Sequence, residues 1–462
     1  MSLFFCLLSL ISSSYGEVLP LESVLRSTRE QAPKVLASLE KVIAARENIR
    51  ASEGAFDSSV NLSYYKRNGG YYPGETFKGK IEKPLPVFGA KVYAGYKKSS
   101  GSFPDYEGDA LTLDEGQAMA GLSFNLLRNF SIDDKRLKLA ISKIDLSQSE
   151  WLNKETMMKL QKEASIAYWN WVAAGHKLRV AKDLLQLAQK RQVAFVKRIK
   201  KGDLARLYAV ENEQYIVKRK TKVEKAKAYF TVAGYYLSLY YRDAEGNPIL
   251  SFDKNLPGLE DMENTPIKNK DLPLDELKDK NFTLNALKME IETAKQNVEF
   301  FNSRGLPDLK VKYEVLRDYG DGSKTLQGTD HKILVGMDIP LERNLINGKR
   351  SAARAKQRVL NHEYRLMRDK LRMRLLQLRT KLEASLNIIQ NTKREVALGE
   401  ELEKGERKKF SSGASDFFVV NLREQNTFAA RFKRIEALLD YQETVAKYRE
   451  ILLDFPLISS AK

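Results

Sequence analysis

The chain has 462 residues, of which 43% are apolar and 30% charged, with one cysteine and a formal net charge of +18. It is long enough to bury a large core or to form several domains, and no apolar run approaches the length of a transmembrane helix. Basic residues are mixed with acidic ones along helical stretches, which favours solvated helix faces over a surface for nucleic acid or acidic polymers.

The N-terminal segment, residues 1–16, has no charged residue and contains a mostly apolar run that ends in small polar residues. This pattern predicts a secretory signal peptide that is cleaved near Gly16. A short membrane anchor is the alternative, but the run is too short to span a bilayer. Cys6 lies in this segment, so the mature chain would contain no cysteine, which suits an oxidising periplasm.

The remainder of the chain is predicted to be one structural unit that occurs twice. We expect a first repeat over residues 17–242, a linker or equatorial segment over residues 243–279, a second repeat over residues 280–455 and a C-terminal tail over residues 456–462. Each repeat begins with a predicted helix, over residues 21–52 and 281–303. A unit that recurs in fixed order is an internal repeat.

Strand-like segments follow each of these helices. Residues 59–65 and 118–126 of the first repeat and residues 309–315 and 333–341 of the second alternate apolar with polar side chains. Strict alternation predicts a sheet with one apolar and one polar face. The edge of a soluble sandwich and a membrane-barrel strand of about 9–11 residues fit this pattern equally well.

The first repeat also contains two extra strand-like segments, residues 77–83 and 91–97, which account for 38 additional residues before its long helix. They would either lengthen the strands of a barrel or form an outer loop. The sequence leaves both possibilities open.

Each repeat ends in a predicted hairpin of very long helices. The outgoing helices are predicted over residues 133–199 and 348–409 and the returning helices over residues 204–241 and 414–453, with Gly202 and Gly413 in the turns. Small and large residues recur at spacings of three and four along both outgoing helices. This spacing is the seam of a coiled coil, in which neighbouring helices interdigitate. A long antiparallel coiled coil without further function is the plain alternative.

The sequence shows no pattern of a catalytic site. The histidines, His176, His331 and His362, are far apart, and none has a second ligand at metal-binding spacing. No Gly-rich phosphate loop and no nucleophile elbow is present. We therefore expect no enzymatic activity, no cofactor and no bound metal.

The predicted helix tips carry the most specific local motifs. In the first tip, Arg198-Ile199 precedes Gly202, and the run Leu207-Tyr208-Ala209-Val210 follows. In the second tip, Glu406-Arg407 and Phe410 precede Gly413, and the run Phe417-Phe418-Val419-Val420 follows. With the order of helix, strands, long helix, glycine turn and helix, given twice, the chain resembles the TolC-like outer-membrane efflux proteins, the outer membrane factor family. The resemblance covers nearly the whole mature chain.

This resemblance implies a mainly α-helical fold with β-strands. A duplicated unit of strands and a long helical hairpin would form a trimeric membrane β-barrel that continues into an α-helical barrel. Each protomer of the homotrimer would give four strands to one twelve-stranded barrel in the outer membrane, and the helices would extend into the periplasm of a Gram-negative bacterium. Closure of the barrel by several copies is also expected on physical grounds, because the open strand edges of one copy would lack hydrogen-bond partners in lipid.

The implied function is the exit duct of a tripartite efflux or type I secretion system, which passively exports solutes or polypeptides from the periplasm. The implied partners are a periplasmic adaptor (membrane fusion) protein, an inner-membrane pump of RND, ABC or MFS type and outer-membrane lipid, without nucleic acid. One alternative is a periplasmic adaptor or scaffold protein with coiled-coil hairpins, although adaptors typically have one hairpin. Another is a basic coiled-coil protein that binds nucleic acid, which the predicted signal peptide disfavours.

The resemblance also assigns the adaptor contact and the periplasmic entrance to the helix tips. The residues concerned are Arg198, Gly202, Asp203, Tyr208, Arg407, Phe410, Gly413, Asp416 and Val419. Many members of the family have an acidic residue six positions after a tip glycine, where this chain has Tyr208 and Val419, so an acidic ring at those positions is not expected. Asp203 and Asp416 are expected to cap helices rather than to form such a ring.

Overall fold

The computed structural model describes residues 18–70, 72–103, 110–251, 256–263, 267 and 273–457. The predicted signal peptide at residues 1–16 and the tail residues 458–462 lie outside the described residues. The described part of the chain contains eight α-helices and six β-strands. In chain order they are α1 (Leu21–Gln31), α2 (Pro33–Glu53), β1 (Ser59–Arg67), β2 (Gly74–Pro84), β3 (Lys91–Gly101), β4 (Gly116–Asn125), α3 (Asp134–Lys200), α4 (Arg206–Ser238), α5 (Leu274–Lys280), α6 (Phe282–Arg304), β5 (Asp308–Tyr319), β6 (Thr329–Asp338), α7 (Asn344–Ser411) and α8 (Phe417–Ile451).

Both halves of the chain have the same order of elements: a helix, strands, a long helix and a returning helix. The long helices α3 and α7 contain 67 and 68 residues, and no proline interrupts either of them. Their limits lie within a few residues of the predicted ones. Among the described helices, none is both long and apolar enough to cross a membrane. The structure thus confirms the mainly helical class with a duplicated unit of strands and a long helical hairpin.

The first predicted helix is divided in the structure. A single helix is predicted over residues 21–52, but α1 ends at Gln31 and α2 begins at Pro33. Pro33 has no amide hydrogen to continue the helical ladder, and it disfavours the helical conformation of the residue before it. Accordingly, Ala32 is extended, with φ −69° and ψ 124°. Proline is well suited to the first position of a helix, so helical structure resumes at once.

The chain divides into two compact units, and each contains segments of both halves. We refer to them as the sheet unit and the helical unit. The sheet unit comprises the described residues of Glu40–Leu152 and Phe282–Met367, and the helical unit comprises the described residues of Met1–Leu39, Asn153–Asn281 and Arg368–Lys462.

The sheet unit contains one antiparallel sheet of six strands in the order β1-β2-β3-β4-β5-β6. The expectation of four strands per chain is therefore wrong. The extra segments 77–83 and 91–97 are neither an outer loop nor extensions of other strands, because they form β2 and β3, which lie between β1 and β4. The sequence pattern revealed their alternation but not their neighbours, since strand pairing is decided by contacts across the sheet.

The sheet has one apolar and one polar face, and the apolar face is the more exposed of the two. Leu62, Ile333 and Val335 in the outer strands are 66–72% exposed. On the polar face of β3, Lys97 and Ser99 are each only 8% exposed. A sheet built for water shows the reverse pattern, because burial of apolar surface stabilises a fold by about 25 cal/mol per Å².

A tyrosine-centred cluster joins four strands on the polar face. The hydroxyl group of Tyr93 donates to Glu314 Oε1 at 2.9 Å, and Lys80 Nζ lies 4.1 Å from the centroid of the Tyr93 ring. Lys312 Nζ lies 5.4 Å from the same centroid and donates to Glu314 Oε2 at 3.0 Å. The Tyr93 ring also covers Gly121 in β4, where an added Cβ would lie 2.4 Å from ring atoms. This close fit fixes β3 against β4.

The helical unit is built around the seam of α3. Trp171 is fully buried, and the centroid of its ring lies 6.0 Å from that of Tyr168 and 6.1 Å from that of Phe230. The seam positions predicted in α3 and α7 are all buried or half-buried, which confirms the coiled-coil pattern. They are Ala164, Ala167, Trp171, Ala174, Leu178, Ala181, Leu185 and Ala188 in α3, and Leu375, Leu378, Leu382, Ser385, Ile389, Thr392, Val396 and Gly399 in α7. In α7, Gly399 has no side chain, so α8 can approach it closely. At this contact Thr427 Oγ1 of α8 donates to the Gly399 carbonyl oxygen at 3.0 Å.

Part of the predicted linker is anchored to the helical unit. Met262 is fully buried, and its carbonyl oxygen accepts a hydrogen bond from Gln442 Nε2 at 2.7 Å. The adjacent Glu263 accepts from Lys393 Nζ at 3.0 Å and from Arg434 Nη2 at 2.6 Å. Burial opposes ionisation of the Glu263 carboxyl group, but the hydrogen bonds from Arg434 and Lys393 outweigh it and lower its pKa. The ionised carboxylate therefore joins this segment to α7 and α8.

The fit of Tyr93 over Gly121 predicts that Gly121→Ala destabilises the sheet. The new Cβ would meet the Tyr93 ring at 2.4 Å and the Tyr313 carbonyl oxygen at 2.9 Å, and overpacking of this kind costs about 1–3 kcal/mol. Gly336→Ala is the matched control, because the nearest atom to its added Cβ is 3.8 Å away. Thermal unfolding measured by circular dichroism should show a lower Tm for Gly121→Ala alone. Equal Tm values would contradict the packing described for Tyr93.

Candidate functional site at the helix tips

Both hairpins turn at a glycine in the same way. Gly202 has φ +80° and Gly413 has φ +78°, a left-handed conformation that glycine adopts without strain. In the first turn the N–H of Gly202 donates to the carbonyl of Ile199 and the N–H of Asp203 donates to the carbonyl of Arg198, each at 3.0 Å. The second turn has the equivalent pair of hydrogen bonds. Both turns are therefore Schellman motifs, which end one helix and redirect the chain.

Of the charged residues predicted at the tips, Arg198, Asp203 and Asp416 are exposed and Arg407 is half-buried. Asp416 caps α8, since its Oδ1 accepts from the N–H of Phe418 at 2.7 Å, and this confirms the expected capping role. The same expectation for Asp203 is wrong. The cap position of α4, three residues after Gly202, is held by Ala205, which has no side-chain acceptor. Asp203 directly follows the glycine, whereas Asp416 stands three residues after Gly413, at the cap position of α8.

Aromatic side chains from both hairpins form one cluster behind the turns. Phe417 is fully buried and packs edge to face against Phe195, with 5.1 Å between ring centroids. The Phe410 ring lies 6.1 Å from each of these two rings. Tyr208 lies 6.3 Å from Phe417, and its hydroxyl oxygen is 3.5 Å from Asp416 Oδ2. Three of the predicted residues, Tyr208, Phe410 and Asp416, are thus brought together where one hairpin packs against the other.

A buried charge cluster adjoins these rings. The Glu424 side chain is fully buried and pairs with Arg191, with Arg219 at 2.9 Å and with Arg407 at 3.3 Å. The Arg191 guanidinium also lies 5.1 Å from the centroid of the Phe417 ring. Burial lowers the pKa of Arg191, and the charge of Glu424 opposes that effect. One carboxylate therefore holds arginines from three helices, α3, α4 and α7, against α8.

Of the four residues in this cluster, only Arg407 was predicted at the tips from the sequence; Arg191, Arg219 and Glu424 were not. A signal was present, because Glu424 lies on the same side of α8 as Val420 and Thr427, which are both buried. A charged residue at a buried seam position requires a partner. Its partners lie on three other helices, so spacing within one helix could not identify them.

The first turn of each returning helix exposes a large apolar side chain. Leu207 is 75% exposed and Phe418 is 60% exposed, and the two occupy equivalent positions in the two hairpins. Val419 is half-buried, so this position presents neither a charge nor a free apolar surface. Exposed apolar side chains of this size are suited to binding another protein.

The sequence matches no protein-family model and no curated protein. The structure, in contrast, is similar to solved outer-membrane proteins over nearly the whole chain. The outer membrane channel MtrE of Neisseria gonorrhoeae, in its open state, is 12% identical with a TM-score of 0.69, and the match covers 94% of this chain and 88% of MtrE.

The outer membrane protein VceC of Vibrio cholerae is 11% identical with a TM-score of 0.67, over 94% of this chain and 95% of VceC. The CmeC outer membrane channel of Campylobacter jejuni is 10% identical with a TM-score of 0.67, over 96% of this chain and 87% of CmeC. The chain has the fold of the TolC-like outer-membrane channels.

The resemblance inferred from the helix tips is therefore confirmed at the level of fold. The TolC-like fold covers the strands as well as both hairpins, so a periplasmic adaptor with coiled-coil hairpins is not favoured. MtrE and CmeC are both named as outer membrane channels.

The buried position of Glu424 predicts that Glu424→Gln destabilises the helical unit. The arginines around it would lose their shared carboxylate, and breaking a buried charge pair costs about 3–5 kcal/mol. Chemical denaturation followed by circular dichroism measures this free energy of unfolding.

The matched control is Glu400→Gln, which removes an exposed pair with Arg431 at 2.7 Å. Exposed pairs contribute at most about 1 kcal/mol. If both variants lost the same free energy, the described role of Glu424 would be refuted.

Replacing glycine by alanine should change the free energy of unfolding in opposite directions at the turn glycines and at a glycine inside a helix. Gly202→Ala and Gly413→Ala should each lower the free energy of unfolding by about 1–2 kcal/mol, because a Cβ is strained in that conformation. Gly405→Ala, inside α7 where an added Cβ meets nothing within 4 Å, should raise it by up to about 1 kcal/mol through helix propensity. The same denaturation experiment applies, and a common sign at all three positions would contradict the turn geometry.

Proposed function

We propose that the chain forms the outer-membrane exit duct of a tripartite efflux or type I secretion system, and that it passively exports solutes or polypeptides from the periplasm. The observation that carries the proposal is the exposed apolar face of the sheet, whose strands contain between 9 and 12 residues. Strands of about 9–11 residues are long enough to cross a bilayer. An apolar face of this extent is costly in water and stable in lipid.

The open edges of the sheet support assembly with further copies of the chain. In the described structure β1 pairs only with β2 and β6 pairs only with β5, so each outer strand leaves one row of backbone groups unpaired. These groups need partners inside a membrane. Because an even number of antiparallel strands leaves β1 and β6 running in opposite directions, β6 of one copy fits β1 of the next. The assembly is the homotrimer that the family resemblance implies.

The helical unit supports the same assembly. A cavity of about 770 Å³ opens between α3, α4 and α8, and its lining includes the apolar side chains of Ile166, Tyr229 and Phe428. In addition, α7 exposes apolar side chains outside its own seam, among them Leu376 and Ile388. A neighbouring copy that packs its helices into this cavity would cover apolar surface on both copies.

The helix tips provide the contact with partners. Leu207 and Phe418 would bind a periplasmic adaptor protein. The exposed Arg198, near the end of α3, would pair with acidic adaptor loops. An inner-membrane pump of RND, ABC or MFS type would supply the energy through this adaptor. The duct would lie in the outer membrane of a Gram-negative bacterium, with its helices extending into the periplasm.

Reconstitution of the purified oligomer into planar lipid bilayers tests the proposal. Discrete conductance steps are expected, because a water-filled duct carries ions across the bilayer. A properly folded oligomer that gives no conductance would contradict the duct. Release of the protein from membranes by salt alone would favour an adaptor or scaffold instead.

Two neighbouring residues of β1 provide matched variants for this experiment. Leu62→Lys would place a charge on the apolar face, which costs about 2–4 kcal/mol near the middle of a bilayer, so bilayer insertion and conductance should fall. Ser63→Lys places the same charge on the polar face and should leave insertion unchanged. Equal insertion of both variants would show that this face does not contact lipid.

A further inference from the structure

We propose that the hairpin β2–β3 is part of the pore wall, so that each protomer contributes six strands and a trimer contributes eighteen, in place of the twelve implied by the family resemblance. The inference rests on the proposed function, since it concerns the membrane wall of the duct. It concerns segments of the first half that have no counterpart in the second half, where only β5 and β6 occur.

Hydrogen bonding places this hairpin between other strands of the wall. The pairing of β1 with β2 extends over nine residue pairs and that of β3 with β4 over seven. No described pair joins β1 directly to β4. Removing the hairpin from the sheet would break both ladders and leave β1 about 14 Å from β4, three times the spacing of about 4.8 Å between neighbouring strands. The hairpin is therefore needed to connect β1 with the rest of the sheet.

In the hairpin, the apolar side chains lie on the same face of the sheet as in the other strands, and so do the polar ones. One row of aligned residues runs across five strands and is apolar throughout: Val60, Ile81, Ala94, Ala120 and Val315. Ile81 is 54% exposed in the protomer, as expected for a side chain on the lipid side. The hairpin thus presents an apolar surface on the same side as the rest of the sheet.

The neighbouring residues along these strands point to the opposite, polar face of the same wall. Lys80 of β2 belongs to the cluster around Tyr93 of β3, which also includes Lys312 and Glu314 of β5. Charged side chains of β2 and β5 therefore meet on one surface. A hairpin that formed an outer loop would not place its side chains against those of β5. Two strands that line one lumen would do so.

The length and number of the strands are compatible with closure. Both β2 and β3 contain 11 residues, enough to cross a bilayer. Because the hairpin adds two strands, the outer strands still run in opposite directions and can pair between copies. The diameter of a barrel grows roughly linearly with strand number, so eighteen strands give a lumen about one and a half times as wide as twelve. The membrane section of this duct is accordingly wide for a channel of the TolC-like fold.

Cysteine accessibility in reconstituted bilayers tests the position of the hairpin. All variants carry Cys6→Ser, so that each has a single thiol. The test pair in β2 is Lys80→Cys and Ile81→Cys, and the matched control pair in β6, a strand of the second half, is Lys332→Cys and Ile333→Cys. A charged, membrane-impermeant methanethiosulfonate reagent is added, and both the labelled fraction and the single-channel conductance are recorded.

In the proposed arrangement the lysine positions of both pairs face water and the isoleucine positions face lipid. Lys80→Cys should react about tenfold or more faster than Ile81→Cys, because the reactive thiolate is disfavoured in hydrocarbon. Labelling of Lys80→Cys should also change the conductance. The β6 pair should show the same difference.

Equal labelling of Lys80→Cys and Ile81→Cys without a change in conductance, while the β6 pair keeps its difference, would overturn the inference and leave the duct intact. Failure of the parent protein and of every variant to conduct would reject the duct itself, and with it this wall. The two failures are therefore distinguishable.

Discussion

The structure depends on a sheet that turns its apolar side chains outward and leaves both of its outer edges open. In water, each exposed apolar side chain forgoes burial energy of about 25 cal/mol per Å². In lipid that loss disappears, but every unpaired backbone group at an edge then costs several kcal/mol. Pairing the outer strands of neighbouring copies satisfies both requirements. In the proposed duct, membrane insertion and oligomerisation would therefore be linked by the same physical constraint.

The helical unit meets its own constraint by a different route. Its seam places small residues beside large ones, so α3 and α7 pack closely against their neighbours. Trp171 fills the seam of α3, whereas Gly399 and Thr427 bring α7 and α8 together. The apolar surface that remains outside these seams, including Leu376 on α7, is suited to contact with further copies of the chain.

The tips combine equivalent turns with unequal surroundings. Both Schellman turns rely on a glycine with positive φ, but only the second returning helix is capped, by Asp416. The hairpins are held to each other by aromatic rings and by the carboxylate of Glu424, which is fully buried. Any movement of one tip against the other would have to separate buried charges, and this cost is large. The contacts within a protomer thus favour tips that move together.

The sequence by itself determined the duplicated order of elements, the limits of the long helices, the coiled-coil seam and the turn glycines, because helix periodicity and glycine conformation are local properties. It also showed the alternation of β2 and β3. Only the tertiary structure decided that these strands join the sheet and that Glu424 gathers arginines from three helices. These features depend on residues far apart in the chain, and the spacing of residues within one segment carries no record of which segments become neighbours.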